Sequence, residues 1–106
     1  MFAYRLDGLA ALADPTRRSI FEHVAEHPCA VVELARVVPV SRPAVSQHLK
    51  VLKDAGLVVD RAAGSRRIYA VDPDGLAELR AYLEQFWNTA LVSLKAIAEQ
   101  PTQEGP

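Results

Sequence analysis

The sequence predicts a mainly α-helical domain with one two-stranded β-hairpin, an α+β arrangement. Apolar residues recur at helical intervals over most of the chain, while residues 57–71 instead hold two β-rich runs around a glycine turn. The longest helical pattern comes last. With 106 residues, 50% of them apolar and 24% charged, the chain has material for one hydrophobic core. We therefore expect one domain over residues 1–100 and a loose tail over residues 101–106.

Two short helices open the chain. The first thirteen residues place leucines and alanines at helical spacing and predict the first helix. Asp14 then supplies an N-cap before Pro15, and the second helix runs to the His-Pro pair at residues 27–28. We expect the two arginines of its first turn, Arg17 and Arg18, to be solvated or paired with nearby acids rather than bound to phosphate.

A short turn joins the third and fourth helices. Apolar residues after Pro28 predict a third helix that ends near Pro39. The fourth helix is bounded by its own sequence, because Ser41 is a strong N-cap and Gly56 allows the left-handed conformation that ends a helix. Since only three residues separate the two helices, the second must cross the first in a helix-turn-helix.

The fourth helix has a narrow apolar face and a broad polar one. Val45, Leu49 and Leu52 fall on one side, and arginine, serine, glutamine and lysine face the other way. The first three of these polar types suit base edges and lysine suits phosphates, a mixture typical of a recognition helix in a DNA major groove. Charge agrees with this reading, since residues 41–67 carry a net charge of +4 in a chain whose total is −1.

A β-hairpin follows the fourth helix. Residues 57–61 and 67–71 predict two strands, and residues 63–65 predict the turn between them. Cations at such a tip are well placed to bind phosphate or to reach into a minor groove. Alternatively, these charges only keep an exposed hairpin soluble. The polar residues at or near the tip are Arg61, Ser65, Arg66 and Arg67.

The last helix begins at Asp72-Pro73 and runs toward Gln100. It carries two adjacent apolar rows, one beginning at Leu76 and the other at Trp87. We interpret the first row as packed on the domain and the second as packed on a symmetry mate, with help from the first helix. The residues expected in this dimer contact are Leu6, Leu9, Phe86, Trp87, Leu91 and Leu94.

These elements resemble the ArsR/SmtB family of small bacterial repressors. The resemblance lies in LADPTRRSIFEHV, VSRPAVSQHLKVLKDAGLV, RAAGSRRIYAV and LEQFWNTALVSLK, and it covers nearly everything from Leu12 to Lys95. It implies a winged helix-turn-helix, a homodimer and binding to double-stranded operator DNA. His48 lies closer to the buried stripe, and two roles remain open for it: a structural hydrogen bond or a phosphate contact. The residues that would face the operator are Ser41, Arg42, Ser46, Gln47 and Lys50 on the helix, with Ser65, Arg66 and Arg67 on the wing.

Both familiar metal sites of that family are absent from the sequence. Metal-sensing members that this chain resembles carry a cysteine pair in the third helix or carboxylate and histidine ligands along the last helix. Here the third helix has no cysteine, and residues 77–99 contain no histidine. One constellation remains, in which His23 and His27 lie four residues apart with Cys29 just beyond, and it could hold nickel or zinc if a third ligand arrived. Histidines on an exposed helix are usually plain surface, so we expect no metal and no cofactor.

The sequence thus predicts a homodimeric repressor of a pseudo-palindromic operator. Two alternatives stay open: a metal-responsive version that uses His23 and His27, and a winged-helix module that binds protein instead of DNA. We expect no enzyme, because the chain has no nucleophile elbow, no phosphate-binding glycine loop and no clustered acid–base pair. One cysteine and no long apolar run make the cytoplasm the expected location, without membrane contact.

Overall fold

Five helices and one hairpin make up the described part of the chain. The computed structural model describes the backbone of residues 2–101 and the side chains of residues 7–101. This order confirms the predicted mainly α fold with a single β-hairpin, and Thr102–Pro106 of the predicted tail lie outside the described residues. The elements are α1 (Phe2–Ala11), α2 (Pro15–Glu26), α3 (Val31–Val37), α4 (Arg42–Asp54), β1 (Val58–Ala63), β2 (Arg66–Val71) and α5 (Pro73–Ala98).

The predicted caps set the helix boundaries. Side-chain oxygens of Asp14, Ser41 and Asp72 each accept a backbone N–H from the first turn of the helix that follows, at 2.9, 3.3 and 3.0 Å. A proline stands in the first turn after each cap, where a missing N–H costs no helical hydrogen bond. Gly56 has φ +81°, so the recognition helix ends at the left-handed residue that the sequence predicts.

The core lies beneath the helix-turn-helix. Helices α2, α3 and α4 converge there, and the apolar stripe of α4 supplies its centre, since Val45, Leu49 and Leu52 have no exposed surface. Large side chains of this kind contribute about 1.5–3 kcal/mol each when fully buried, so the stripe anchors α4 firmly. The largest fully buried side chains are Ile20, Val24, Leu34, Val45, Leu49, Leu52, Leu57 and Val58.

The hairpin is longer and better supported than the sequence indicates. Its antiparallel register runs from Val58 opposite Val71 to Ala63 opposite Arg66, with Gly64 at φ +67° in the turn. The backbones of Cys29 and Tyr69 exchange two hydrogen bonds, of 3.1 and 2.9 Å, which add a one-residue bridge. This bridge ties the loop between α2 and α3 to the wing.

Helix α5 departs from the prediction because most of it leaves the domain. Of the apolar row that we expected to pack on the domain, only Leu79 is buried, while Leu76, Leu83 and Phe86 are 41%, 50% and 55% exposed. The chain measures 73 × 28 × 22 Å, and its radius of gyration of 19.4 Å far exceeds the ~13 Å of a compact domain of this length. The prediction that one full row packs within the chain is therefore wrong.

Arg17 and Arg18 make hydrogen bonds that the sequence does not predict, although Arg18 is solvent-exposed as expected. The Nε of Arg17 donates to the carbonyl of Ala11 over 2.7 Å, and Nη1 of Arg18 donates to the carbonyl of Leu12 over 3.3 Å. These carbonyls close α1, where a helix leaves acceptors unsatisfied and favours cations. The two arginines therefore join α2 to the end of α1, and these hydrogen bonds go to carbonyls rather than to acids.

Within the described residues, no helix combines the length and the apolar content that a membrane crossing requires.

Candidate nucleic-acid interface

The polar face of α4 points away from the subunit. Ser41, Arg42, Ser46, Gln47 and Lys50 are all exposed, whereas the stripe on the opposite side is completely buried. Because the buried stripe fixes the rotation of the helix about its axis, the polar face cannot turn inward without emptying the core. The five helix residues predicted to face an operator are thus accessible to an external partner.

The wing tip adds a second exposed surface next to the start of α4. Ser65, Arg66 and Arg67 are exposed, and they line one groove of about 290 Å³ together with Arg42. The structure thereby brings Arg42 to the wing, while Ser46, Gln47 and Lys50 lie further along α4, outside this groove. Three guanidinium groups around one open groove suit an oxyanion, because their paired N–H donors match phosphate oxygens.

Carboxylates hold several of the interface cations. Lys50 pairs with Asp54 over 2.9 Å within α4, and Arg66 of the wing pairs with Glu33 of α3 over 2.7 Å. Asp60 of β1 forms two ion pairs, one with Lys53 of α4 and one with Arg67 of β2. Sequence reasoning missed Glu33 and Asp60. The alternation of side chains along a strand could have identified Asp60. Val58 is buried, so the side chain two residues later lies on the same, inward face of β1.

The contacts of these carboxyls lower their pKa values. The pKa of Asp60 falls because its carboxylate accepts hydrogen bonds from Lys53 and Arg67, and the same contact raises the pKa of Arg67. The pKa of Glu33 falls chiefly because the backbone N–H of Ala30 donates to it, with Arg66 adding to the effect. Both carboxyl groups therefore hold their negative charge at neutral pH.

His48 makes a structural contact on the inner flank of α4. The ring is half-buried, and Nη1 of Arg17 lies 3.4 Å from its Nδ1. A guanidinium can only donate, so Nδ1 of His48 is the acceptor in this contact. This contact favours the hydrogen-bonding alternative that the sequence left open for His48.

The three metal candidates of the sequence share one cavity. His23, His27 and Cys29 line one pocket of about 250 Å³ beside Glu33. Over the side chains of residues 7–101, no three His, Cys, Asp or Glu groups converge closely enough to hold an ion. Partial burial and the nearby Glu33 carboxylate raise the pKa of the Cys29 thiol, which disfavours the thiolate that a metal requires.

The outer part of α5 presents a continuous apolar surface. Phe86, Trp87, Leu91 and Leu94 are 55%, 64%, 48% and 63% exposed. Phe86 and Trp87 also line a groove of about 730 Å³ that extends back to Leu76. Leu9 packs partly against the core of its own chain, and the side chain of Leu6 lies outside the described residues. An apolar surface of this extent on a small domain is typical of a protein-binding face.

Comparison with known proteins places the chain among regulators. Residues 12–61 match a family model described as a helix-turn-helix domain. The chain is 67% identical over 81 residues to the HTH-type transcriptional regulator Rv2034 of Mycobacterium tuberculosis, and the match covers 76% of each protein.

Solved structures agree in fold. An ArsR-like transcriptional regulator from Rhodococcus sp. RHA1 superposes with a TM-score of 0.77 at 31% identity, over 94% of this chain and 97% of that one. The homodimeric winged helix-turn-helix DNA-binding domain of Mb0332 from Mycobacterium bovis, a possible ArsR-family regulator, superposes with a TM-score of 0.67 at 27% identity, over 85% and 83%. These names describe transcription regulators, in agreement with the prediction that the chain is not an enzyme.

Proposed function

Because the chain belongs to the ArsR/SmtB family of winged helix-turn-helix transcription regulators, we propose that it is a homodimeric repressor that binds a pseudo-palindromic double-stranded operator. The observation that carries this proposal is the recognition helix α4, whose apolar stripe is fully buried while its glutamine, serines and cations are exposed. Operator DNA lies in the bacterial cytoplasm, which is where we place the protein.

The proposal divides the interface into readers of bases and holders of phosphate. Gln47 sits in the middle of the exposed face of α4, where its amide can pair with adenine in the major groove. Arg42 and Ser46 flank it and complete the base-reading set. Lys50, at the next turn, suits a phosphate. The remaining contacts to the backbone come from the N-cap and the wing: Ser41, Ser65, Arg66 and Arg67.

Self-association brings two recognition helices to one duplex. The exposed apolar face of α5 supplies the dimer contact, and the homodimeric state of the Mycobacterium bovis neighbour supports it. In such dimers the two helices enter successive major grooves, roughly 34–36 Å apart, so the operator carries two half-sites with inverted symmetry. The proposal assigns no metal cofactor and leaves the releasing effector unassigned.

The experiment is to incubate the purified protein with fragmented genomic DNA and sequence the fragments that it retains at moderate salt. We expect a few enriched fragments that share an inverted repeat, and affinity for them that falls steeply as salt rises. A duplex that carries this repeat, hereafter the selected duplex, is then compared with a scrambled duplex of equal composition. Retention of no fragment above background would favour the alternative module that binds protein.

A further inference from the structure

Asp60 is the carboxylate that joins the recognition helix to the wing. Its Oδ1 lies 2.8 Å from Nζ of Lys53, in the last turn of α4, and its Oδ2 lies 2.7 Å from Nε of Arg67, on β2. Each oxygen therefore serves a different cation from a different element. Asp60 stands opposite Tyr69 in the hairpin register and on the same face of β1 as the buried Val58.

Burial separates Asp60 from the other paired acids. Its side chain is only 7% exposed, whereas the carboxylates in the other described ion pairs are 46–65% exposed. Water and salt screen exposed pairs, which therefore hold their elements together weakly. A shielded carboxylate with both oxygens bonded is a firmer link, because losing one cation leaves one shielded oxygen without its donor.

The location of Asp60 conflicts with a role in attracting DNA. A negative charge beside the interface repels phosphate, and here it also occupies one N–H of Arg67 and the ammonium of Lys53. Simple electrostatics would therefore favour an uncharged residue at this position. What the carboxylate supplies is geometry, because its Oδ1 contact with Lys53 connects β1 to the end of α4 while its Oδ2 contact with Arg67 connects the two strands of the wing.

We propose that Asp60 is a positioning residue, which holds the wing at the angle to α4 that lets both engage one duplex together. The inference rests on the proposed function, since it concerns how that same interface is built. Arg67 keeps four further N–H donors for phosphate while its Nε is fixed, so positioning and contact are compatible. Asp60 itself touches no DNA in this scheme.

The test compares Asp60→Asn with the matched control Asp54→Asn, which removes an equally charged group from an exposed pair within α4. The amide of an asparagine side chain can accept at one oxygen only, so Asp60→Asn releases one of the two cations. We expect Asp60→Asn to bind the selected duplex about tenfold more weakly and the scrambled duplex no more weakly, so that discrimination falls. The control should bind both duplexes as tightly as the wild type or more tightly. If Asp60→Asn tightens both duplexes as the control does, the carboxylate acts by charge alone and the proposal is overturned.

A readout without DNA separates this inference from the proposed function. Nitrogen-15 relaxation of Gly64 and Ser65, at the wing tip, should show lower order parameters in Asp60→Asn than in the wild type or the control. An unchanged wing tip would overturn the positioning role. If the wild type discriminates between duplexes and Asp60→Asn does so equally, only this inference fails, whereas a wild type that binds neither duplex removes both.

Thermal unfolding monitored by circular dichroism shows whether the variants are folded at the assay temperature. Should Asp60→Asn not fold, Lys53→Met removes one arm of the link from a half-exposed position and leaves the carboxylate with Arg67. A loss of affinity for the selected duplex alone supports the proposal. An equal loss of affinity for both duplexes would mean that Lys53 only contacts phosphate, and would contradict the proposal.

Discussion

Arg66 of the wing donates to Glu33 of α3 over 2.7 Å, and the same carboxylate accepts the backbone N–H of Ala30 over 2.7 Å. One acid therefore caps a helix and occupies an arginine that our proposal assigns to phosphate. Both side chains of the ion pair are about half exposed, so it is weak and DNA can displace it. The Glu33 carboxylate nevertheless opposes phosphate binding next to the wing.

Glu33→Gln should raise affinity for every duplex. Glutamine keeps the oxygen that accepts from Ala30 but lacks the charge that holds Arg66. Exposed ion pairs are worth up to about 1 kcal/mol, so the gain should be at most about fivefold. The salt dependence should steepen by about 0.9 in logarithmic slope if Arg66 then neutralises one more phosphate. Fluorescence anisotropy over a range of salt concentrations measures both quantities.

The control for this variant is Glu84→Gln, which breaks the ion pair with Arg80 on α5, away from the proposed DNA interface. Both residues line the α5 groove, so sedimentation velocity first checks that the control is still dimeric. Its affinity and salt slope should equal those of the wild type. If the two variants behave alike, the Glu33 carboxylate does not oppose DNA binding.

Trp87→Ala should weaken self-association without unfolding the chain. The indole is 64% exposed in the single subunit, so its removal leaves no cavity there, but buried tryptophans in interfaces are often worth about 2 kcal/mol or more. Sedimentation velocity over a dilution series should show dissociation at higher concentration than for the wild type. Val92→Ala, which shortens a 70% exposed side chain on the opposite side of α5, is the control and should leave the dimer intact. If Trp87→Ala dissociates at the same concentration as the wild type, Trp87 is not part of the dimer contact.

Acid should cancel the stabilising effect of Asp60. Its pKa is lowered in the folded protein by bonds to Lys53 and Arg67, so the unfolded chain binds a proton first as pH falls. The stability that Asp60 contributes is fully present above its unfolded pKa of about 3.9 and is lost as pH falls through the lower folded value. Urea unfolding should therefore separate the wild type from Asp60→Asn by a constant amount above about pH 5, and the difference should shrink below pH 4. A difference that stays constant through this acid range would exclude the linkage.

Added nickel or zinc should leave duplex affinity unchanged. His23, His27 and Cys29 share a cavity, but no three potential ligands converge among the described side chains, and the raised thiol pKa of Cys29 opposes metal binding. Titration of each metal against the protein–duplex complex, with chelator-treated protein as the reference, measures this. A shift in affinity that His23→Ala abolishes would establish the metal-responsive alternative.

Local sequence signals predicted most of the fold and the exposed candidate site. Caps at Ser41 and Asp72, the stop at Gly56 and the stripe of α4 are encoded within a few residues of where they act. The helix-turn-helix and the wing follow from such signals because connections this short leave few geometries. Long-range contacts were beyond this reasoning, as the links from Asp60 to two other elements and the Cys29–Tyr69 bridge show.

The error in α5 has a different origin. The spacing of Leu83 and Phe86 correctly indicates a helical apolar row, but periodicity identifies a face and not the surface that covers it. The domain is too small to cover a 26-residue helix, so the row stays exposed within one chain.

The central claim is that the exposed face of α4 reads bases, and Gln47→Ala tests it most directly. Affinities of the wild type and Gln47→Ala should be measured for the selected duplex and for its single-base variants, with Lys50→Ala as the matched control. We predict that Gln47→Ala loses about 1–3 kcal/mol of discrimination at one position of each half-site, while Lys50→Ala weakens all duplexes alike. If Gln47→Ala loses the same affinity for every duplex, or loses none, the result contradicts a base-reading role for the exposed face of α4.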